Sequence, residues 1–307
     1  MFNKKIFYLL FFIFCTTFSS ANINIKYKIG DEIITNYDII NEKNYLVFLR
    51  PNLSKLSEKE LLRISENSLI REIIKKRELD KIFKNLEDTK FIEDIKKNLF
   101  LFKNVKSETE FITLLKQNNI EYEKIIEKMR YEGLWNELIS LKYKSLVRIN
   151  KANLKKKLEM KKNENKKFEY ELYEILFDVK NLEDLKVKHN NILKFIKLNG
   201  FKSAASKFSI SNSSNKGGDI GWIKETFLSE EIVKLLRQMR EGDITKPLKY
   251  PNGYLLLKIN KKRVMKEFFN IDKELDELVK FEINKQLTQF SLLYFKKLKQ
   301  NTIINEY

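Results

Sequence analysis

Two stretches decide the fold of this 307-residue chain, 208-FSISNSSNKGGDIGW-222 and 242-GDITKPLKYPNGYLLLKI-259. The first joins a Ser/Asn-rich loop to a Gly-Gly pair, which predicts a turn with positive φ because glycine adopts that conformation freely. The second opens on a glycine that ends the helix predicted for 229–239, and it closes on the apolar strand 253–259. The informative feature is this order of loop, turn, helix, glycine and strand.

The residues before this signature complete a small unit. Phe168, Tyr170 and Leu172 alternate with polar residues and predict a strand. A helix over 182–199 ends at a glycine, and a second helix follows. Together these elements resemble the parvulin family of peptidyl-prolyl isomerases. The resemblance implies one small antiparallel sheet wrapped by short helices, over residues 166–263.

The family's catalytic positions can be carried over one at a time. Parvulins rotate X-Pro amides, against a barrier of about 18–20 kcal/mol, beside two facing histidines and a thiol or carboxylate. The resemblance puts the histidine positions at Glu174, in 173-YEIL-176, and at Leu255, after the Gly-Tyr pair. The thiol or carboxylate position falls at Ser211, or at Asn212 if the loop is aligned with the family one residue later. A glutamate beside a leucine cannot reproduce a hydrogen-bonded histidine pair, so we expect the catalytic histidines to be lost.

The apolar pocket of the family is better retained. The resemblance implies that Ile220, Leu228 and Ile232 contact the substrate proline. The one histidine of the chain, His189, lies in a charged helical segment and is predicted to be a solvated surface residue. Because the chain holds one histidine and its one cysteine is Cys15, no zinc site, His-dependent triad or other cofactor site is expected.

The chain begins with an export signal. Lys4 and Lys5 precede the apolar run 6–18, and Ser19-Ser20-Ala21 offers a small-x-small cleavage site. The run is shorter than the roughly 20 residues that span a bilayer, so residues 1–21 are predicted to be cleaved and the protein to have no stable membrane anchor. Export without a mature cysteine indicates the periplasm. An uncleaved signal that anchors a folding factor remains an alternative.

The segment 22–165 is predicted to be mostly helical. A strand over 23–29 and a Gly-Asp turn precede a helix capped by Thr35 or Asn36, and Ser57 and Ser107 open capping boxes of later helices. With the late segment 135-WNELI-139, this order resembles the N-terminal region of SurA-type periplasmic chaperones.

The C-terminal segment 264–307 contains one long amphipathic helix, 271–299. Its apolar stripe must pack on another element, and the resemblance implies that it returns to the N-terminal domain. A helix packed only on the parvulin-like domain is the alternative. The predicted fold class is therefore α+β, with a helical N-terminal domain completed by the C-terminal helix and one parvulin-like domain.

The net charge of +18 allows acidic partners. The lysines are spread among glutamates rather than gathered in one patch, so nucleic acid is not a predicted partner. The resemblance implies that the partners are unfolded or extended polypeptides, in particular outer-membrane protein precursors. The alternative function is an active peptidyl-prolyl cis-trans isomerase that works by desolvation in its apolar pocket.

Overall fold

A computed structural model describes residues 23–83, 89–162, 167–251, 253–265 and 270–307. The predicted signal peptide, residues 1–21, and part of the predicted linker 161–167 lie outside the described residues. None of the helices in these ranges has both the length and the apolar character needed to cross a membrane.

The described chain is an α+β fold, as predicted. The α-helices are α1 Asn36–Leu49, α2 Glu58–Ile82, α3 Thr89–Lys103, α4 Glu108–Gln117, α5 Tyr122–Tyr143, α6 Lys151–Lys162, α7 Leu182–Asn199, α8 Phe201–Phe208, α9 Glu230–Gln238 and α10 Ile271–Gln300. The strands are β1 Ile25–Ile29, β2 Glu32–Thr35, β3 Phe168–Phe177, β4 Asp219–Lys224, β5 Leu248–Tyr250, β6 Gly253–Val264 and β7 Ile304–Glu306. Short 3₁₀ turns at Pro51–Lys55 and Asn212–Lys216 bear on the contacts below.

The predicted helix starts have a local cause. Thr35 caps α1: its hydroxyl accepts a hydrogen bond from the Asp38 amide at 3.2 Å, and its own amide donates to the Asp38 carboxylate at 2.9 Å. This reciprocal pair satisfies two backbone donors that the first helical turn would otherwise leave open. Ser57 and Ser107 cap α2 and α4 through the amides of Glu60 and Glu110, so these N-caps are confirmed. The predicted capping box at Ser107 is not reciprocal, because Glu110 accepts instead from the amide of Lys106.

The end of the chain returns to its beginning. Strand β7 pairs antiparallel with β1, which also pairs with β2, so the small N-terminal sheet has the order β2-β1-β7. Strand β7 was not predicted, because three residues are too few to show an alternating pattern.

Helix α10 packs on the N-terminal helices. Tyr294 stacks on Trp135 of α5 with ring centroids 5.8 Å apart, and the Trp135 indole donates to the Ser291 hydroxyl at 2.8 Å. One turn earlier, Phe290 stacks on Tyr143 at 5.0 Å. The predicted completion of the N-terminal domain by this helix is confirmed.

The same helix also contacts the second sheet. Lys224 at the end of β4 forms ion pairs with Glu274 at 2.7 Å and Glu277 at 2.6 Å. Phe281 packs on Phe227 with centroids 5.4 Å apart. Helix α10 therefore lies between the two halves of the molecule, and the alternative of packing on the parvulin-like half alone is wrong.

The second sheet is antiparallel, with the order β4-β3-β6-β5. Central strand β3 is paired on both edges, with β4 and with β6. Helices α7, α8 and α9 surround it, as predicted, although strand β4 was missed and β6 extends beyond the predicted end at Ile259. The domain boundaries at 165/166 and 263/264 stay predictions.

Candidate functional site

The Gly-Gly turn sets the loop of the site against strand β3. Gly217 and Gly218 have φ values of 66° and 83°. A Cβ atom on Gly218 would lie 2.4 Å from the Glu174 carbonyl oxygen, and the Glu174 amide donates to the Gly218 carbonyl at 2.7 Å. Glycine is needed here both for its conformation and for this close approach. The turn therefore fixes the loop 211–216 beside Glu174.

Two of the three positions inferred from the family, Glu174 on β3 and Ser211 at the start of this loop, are in contact. The Ser211 hydroxyl donates to Oε1 of Glu174 at 2.6 Å, and the Ser213 hydroxyl donates to the same oxygen at 2.8 Å. Ser211 is buried, whereas Glu174 is half-buried. Asn212, the alternative for the loop position, begins the 3₁₀ turn that Ser211 caps through the Ser213 amide. Serine at 211 thus holds a carboxylate, at the position where the resemblance predicts a thiol or carboxylate.

Leu255 lies on the neighbouring strand. In the register of β3 and β6, it pairs with Leu176, while Glu174 pairs with Leu257. Leu255 is 6% exposed and shares a buried cluster with Leu176 and Leu257. Because side chains two residues apart on a strand share a face, Glu174 and Leu255 are diagonal neighbours on one face of the sheet. These positions therefore present a carboxylate and an aliphatic side chain to each other.

The three predicted pocket residues divide between two clusters. Ile220 and Ile232 pack against the cluster that contains Leu255. Leu228 packs instead against the neighbouring cluster around Tyr170 and Leu236, which Ile220 and Ile232 also border. The structure thus places Ile220 and Ile232 against the cluster of Leu255, and Leu228 against the adjacent cluster.

Helix α10 covers this apolar face. Its Leu292 packs against the cluster that contains Leu255, and Gln289 donates to the Tyr250 hydroxyl at 3.4 Å. Burial raises the pKa of the Tyr250 hydroxyl. The sequence reasoning missed both Tyr250 and Leu292. The sequence did contain a signal for the contact made by Leu292. Phe281 and Leu292 are three helical turns apart, so they lie on one side of α10 and mark a second apolar face beside the predicted stripe.

His189 lies on α7 and is half-buried. Burial lowers the pKa of its imidazole. It is therefore less solvated than predicted, and it belongs to none of the contacts of the site described above. In the described ranges, His, Cys, Asp and Glu side chains form no group of three or more that is arranged to hold a metal ion.

Comparison with known protein families identifies one domain of the chain. Residues 154–261 match the family model described as "Rotamase: PPIC-type PPIASE domain". The chain therefore carries a PpiC-type, or parvulin-type, domain, and the match begins in α6, ahead of the predicted boundary.

The wider resemblance is to SurA chaperones. The chain is 27% identical to Chaperone SurA of Buchnera aphidicola subsp. Schizaphis graminum, over 94% of this chain and 68% of that protein. It is 26% identical to Chaperone SurA of Nitrosococcus oceani, over 49% of this chain and 37% of that protein. Among solved structures, a chain of the SurA-like chaperones PEB4 and Cj1289 of Campylobacter jejuni matches with 17% identity and a TM-score of 0.38, over 92% of this chain and 98% of that one. The chain thus resembles SurA chaperones over most of its length and carries one PpiC-type domain.

Proposed function

We propose that the protein is a periplasmic chaperone that binds unfolded outer-membrane proteins, and that its PpiC-type domain has lost isomerase catalysis. The observation that carries the second part is the arrangement of Glu174, Ser211 and Leu255. The hydroxyl of Ser211 is engaged by Oε1 of Glu174, and Leu255 is buried among leucines. A catalyst of amide rotation must favour the twisted amide over the planar one. These groups supply neither an imidazole pair nor a thiol for that purpose.

Exposed apolar side chains support client binding by the N-terminal half. Ile25, Ile33, Tyr37 and Ile40 are all exposed, on the small sheet and the first turns of α1. A contiguous exposed apolar patch is typical of an interaction surface, and we propose that these residues, which are close together in the sequence, form one. They suit extended polypeptide segments that carry aromatic or aliphatic residues.

The basic charge supports weak and reversible holding. The net charge is +18, and long-range attraction raises the rate of encounter with acidic partners more than it raises affinity. Such binding weakens with added salt. If salt leaves the holding of clients unchanged, this electrostatic part of the proposal is wrong.

The experiment measures two activities of the full mature chain. We expect it to suppress aggregation of a urea-unfolded outer-membrane β-barrel protein on dilution. We expect Tyr37→Ser combined with Ile40→Ser to weaken that effect. The control Leu198→Ser removes a still more exposed leucine from α7 of the other half and should have no effect. Failure of the parent protein to suppress aggregation would overturn the chaperone proposal.

The second activity is isomerisation of a proline tetrapeptide, followed without a coupling protease. We expect a rate near the uncatalysed one. The alternative, an active isomerase, is favoured by the packing of Ile220 and Ile232 beside Leu255, and a rate well above background would establish it. The double variant Glu174→His and Leu255→His restores the family's residue types, and we expect at most a modest gain from it.

A further inference from the structure

A cavity lies between α2, α8 and α10, beside the loop 211–216 of the candidate site. Its volume is about 280 Å³. Basic side chains line it, and apolar side chains from all three helices complete the walls. The basic residues are Arg63, Arg71, Lys207 and Lys299, and the apolar ones are Ile64, Ile70, Phe208, Ile210 and Phe295.

The charges of this cavity are unbalanced. Its acidic residue Glu60 is already paired, because Lys207 contacts Oε1 of Glu60 at 2.7 Å. Arg63 and Lys299 are exposed at the mouth. Among the residues that the structure describes, neither of them forms an ion pair. Among the described residues, Arg71 also forms no ion pair at contact distance, since Glu132, the carboxylate that acts on its pKa, is bound by Lys75. Three cationic side chains therefore face the cavity without a carboxylate in direct contact.

Arg71 is the key residue of the wall. Its guanidinium donates one hydrogen bond, to the Ser214 hydroxyl at 3.3 Å, and lies 6.0 Å from the centre of the Phe295 ring. Burial lowers the pKa of this guanidinium. A guanidinium offers five N–H donors in a fork that matches a carboxylate. One long bond to a hydroxyl leaves most of that capacity unused.

We propose that this cavity binds an acidic side chain of a polypeptide client, flanked by an aromatic or aliphatic residue. The cationic side chains match the carboxylate, and the walls formed by Phe208, Ile210 and Phe295 match the neighbouring apolar residue. The proposal rests on the proposed chaperone function, and it adds a preference in client sequence that the apolar surface of the N-terminal half does not supply.

The test compares two peptides that differ by one charge, Ac-Phe-Glu-Phe-NH₂ and Ac-Phe-Gln-Phe-NH₂. Binding to the full mature chain is measured by calorimetry at low salt. Because hydrogen bonds to charged groups contribute more than neutral ones, we expect the glutamate peptide to bind about tenfold more tightly. Equal affinity of the two peptides would overturn the proposal.

Three variants separate this cavity from the general basic charge. Arg71→Gln should abolish the preference for glutamate. The double variant Arg63→Gln and Lys299→Gln changes only exposed side chains, so it should fold normally and reduce the preference severalfold. Lys186→Gln removes an exposed charge on α7 and should leave the preference intact. A preference that is equal in Arg71→Gln, in the double variant and in Lys186→Gln would mean general attraction and would overturn the proposal.

The failure of this inference differs from the failure of the chaperone function. If the parent protein suppresses aggregation but does not distinguish the two peptides, the cavity proposal is wrong and the chaperone proposal stands. If aggregation proceeds as without the protein, the chaperone proposal is wrong, and the cavity proposal loses the function on which it rests.

Discussion

The contact of α10 with the N-terminal helices can be tested at one residue. Tyr294 is 8% exposed, stacks on Trp135, and lies edge-on to Tyr143 with centroids 5.9 Å apart. Its hydroxyl also bonds to Glu78 of α2. Tyr294→Ala removes the ring from this cluster and leaves a cavity beside Trp135.

The size of the effect follows from the size of the group removed. Replacing a buried large aromatic residue with alanine costs about 3–5 kcal/mol, as lost transfer energy and as a cavity. The hydrogen bond to a charged partner is also lost. Burial opposes ionisation of Glu78, but hydrogen bonds from Tyr294 and Lys81 outweigh it and lower the pKa of that carboxyl. We therefore expect a loss of at least about 3 kcal/mol in the free energy of unfolding, or about 6–12 °C at about 2–4 °C per kcal/mol.

The two tryptophans allow the loss to be located. Trp135 is fully buried in the N-terminal cluster, and Trp222 is on β4 of the PpiC-type domain. With Trp222→Phe as the background, urea unfolding followed by fluorescence reports on Trp135. The control is Leu293→Ala on the same helix, where the side chain is 52% exposed and a change within about 0.5 kcal/mol is expected. A loss for Tyr294→Ala no larger than for Leu293→Ala would refute the packing of α10 on this half.

Three further predictions concern the other contacts. Leu292→Ala should uncover the apolar face beside Leu255 and increase the fluorescence of the dye 1-anilinonaphthalene-8-sulfonate, whereas the exposed-leucine control on the same helix should not; equal signals would contradict the covering role of α10. The hydrogen bond from Lys207 holds the pKa of Glu60 below its ordinary value of 4.5, so the pair stabilises the fold above that pH and loses its effect as the pH falls through the lowered pKa. Glu60→Gln should therefore lower the unfolding temperature near about pH 7 but not well below the ordinary pKa, and a constant difference at all pH values would contradict this. Gly218→Ala should lower the free energy of unfolding by more than the about 1–3 kcal/mol of a strained φ. The control is Gly221→Ala, which should lower the unfolding temperature less, because Gly221 has positive φ but open space around it. Equal losses in the two variants would mean that the close approach of Gly218 to β3 is unimportant.

The local signals of the sequence were sufficient for the capped helix starts and for the turn. Thr35, Ser57 and Ser107 start helices where their hydroxyls meet free backbone amides, which is a short-range effect. Gly217 and Gly218 mark a turn because of their own backbone conformations. Strands β5 and β7 escaped prediction because each has three residues; β5 pairs with the next strand, β6, across a tight turn, whereas β7 pairs with β1 at the other end of the chain. Pairing at such a distance leaves no periodic pattern in the short strand itself.

The candidate site was predictable only in part, for the same reason. The resemblance to parvulins named Glu174, Ser211 and Leu255, but it did not show that two serine hydroxyls would share one carboxylate oxygen. The cover over the apolar face comes from Leu292, which is 37 residues beyond Leu255 in the chain. The cavity at Arg71 is formed by three helices that are far apart in sequence. Sites formed at such junctions depend on tertiary packing, which local patterns do not encode.

The residue at position 255 and the cover from α10 fit each other physically. A leucine there can pack against Leu292 without leaving a polar group unsatisfied. A histidine in the same buried place would need partners for both ring nitrogens. The leucine side chains around it offer no hydrogen bond, and Oε1 of its diagonal neighbour Glu174 already accepts hydrogen bonds from Ser211 and Ser213. An unpaired polar group of that kind costs about 1–3 kcal/mol. The face at which the resemblance predicts an imidazole is here an internal contact between the PpiC-type domain and the C-terminal helix. Leu255→His in the otherwise unchanged chain is therefore expected to destabilise this contact by a similar amount.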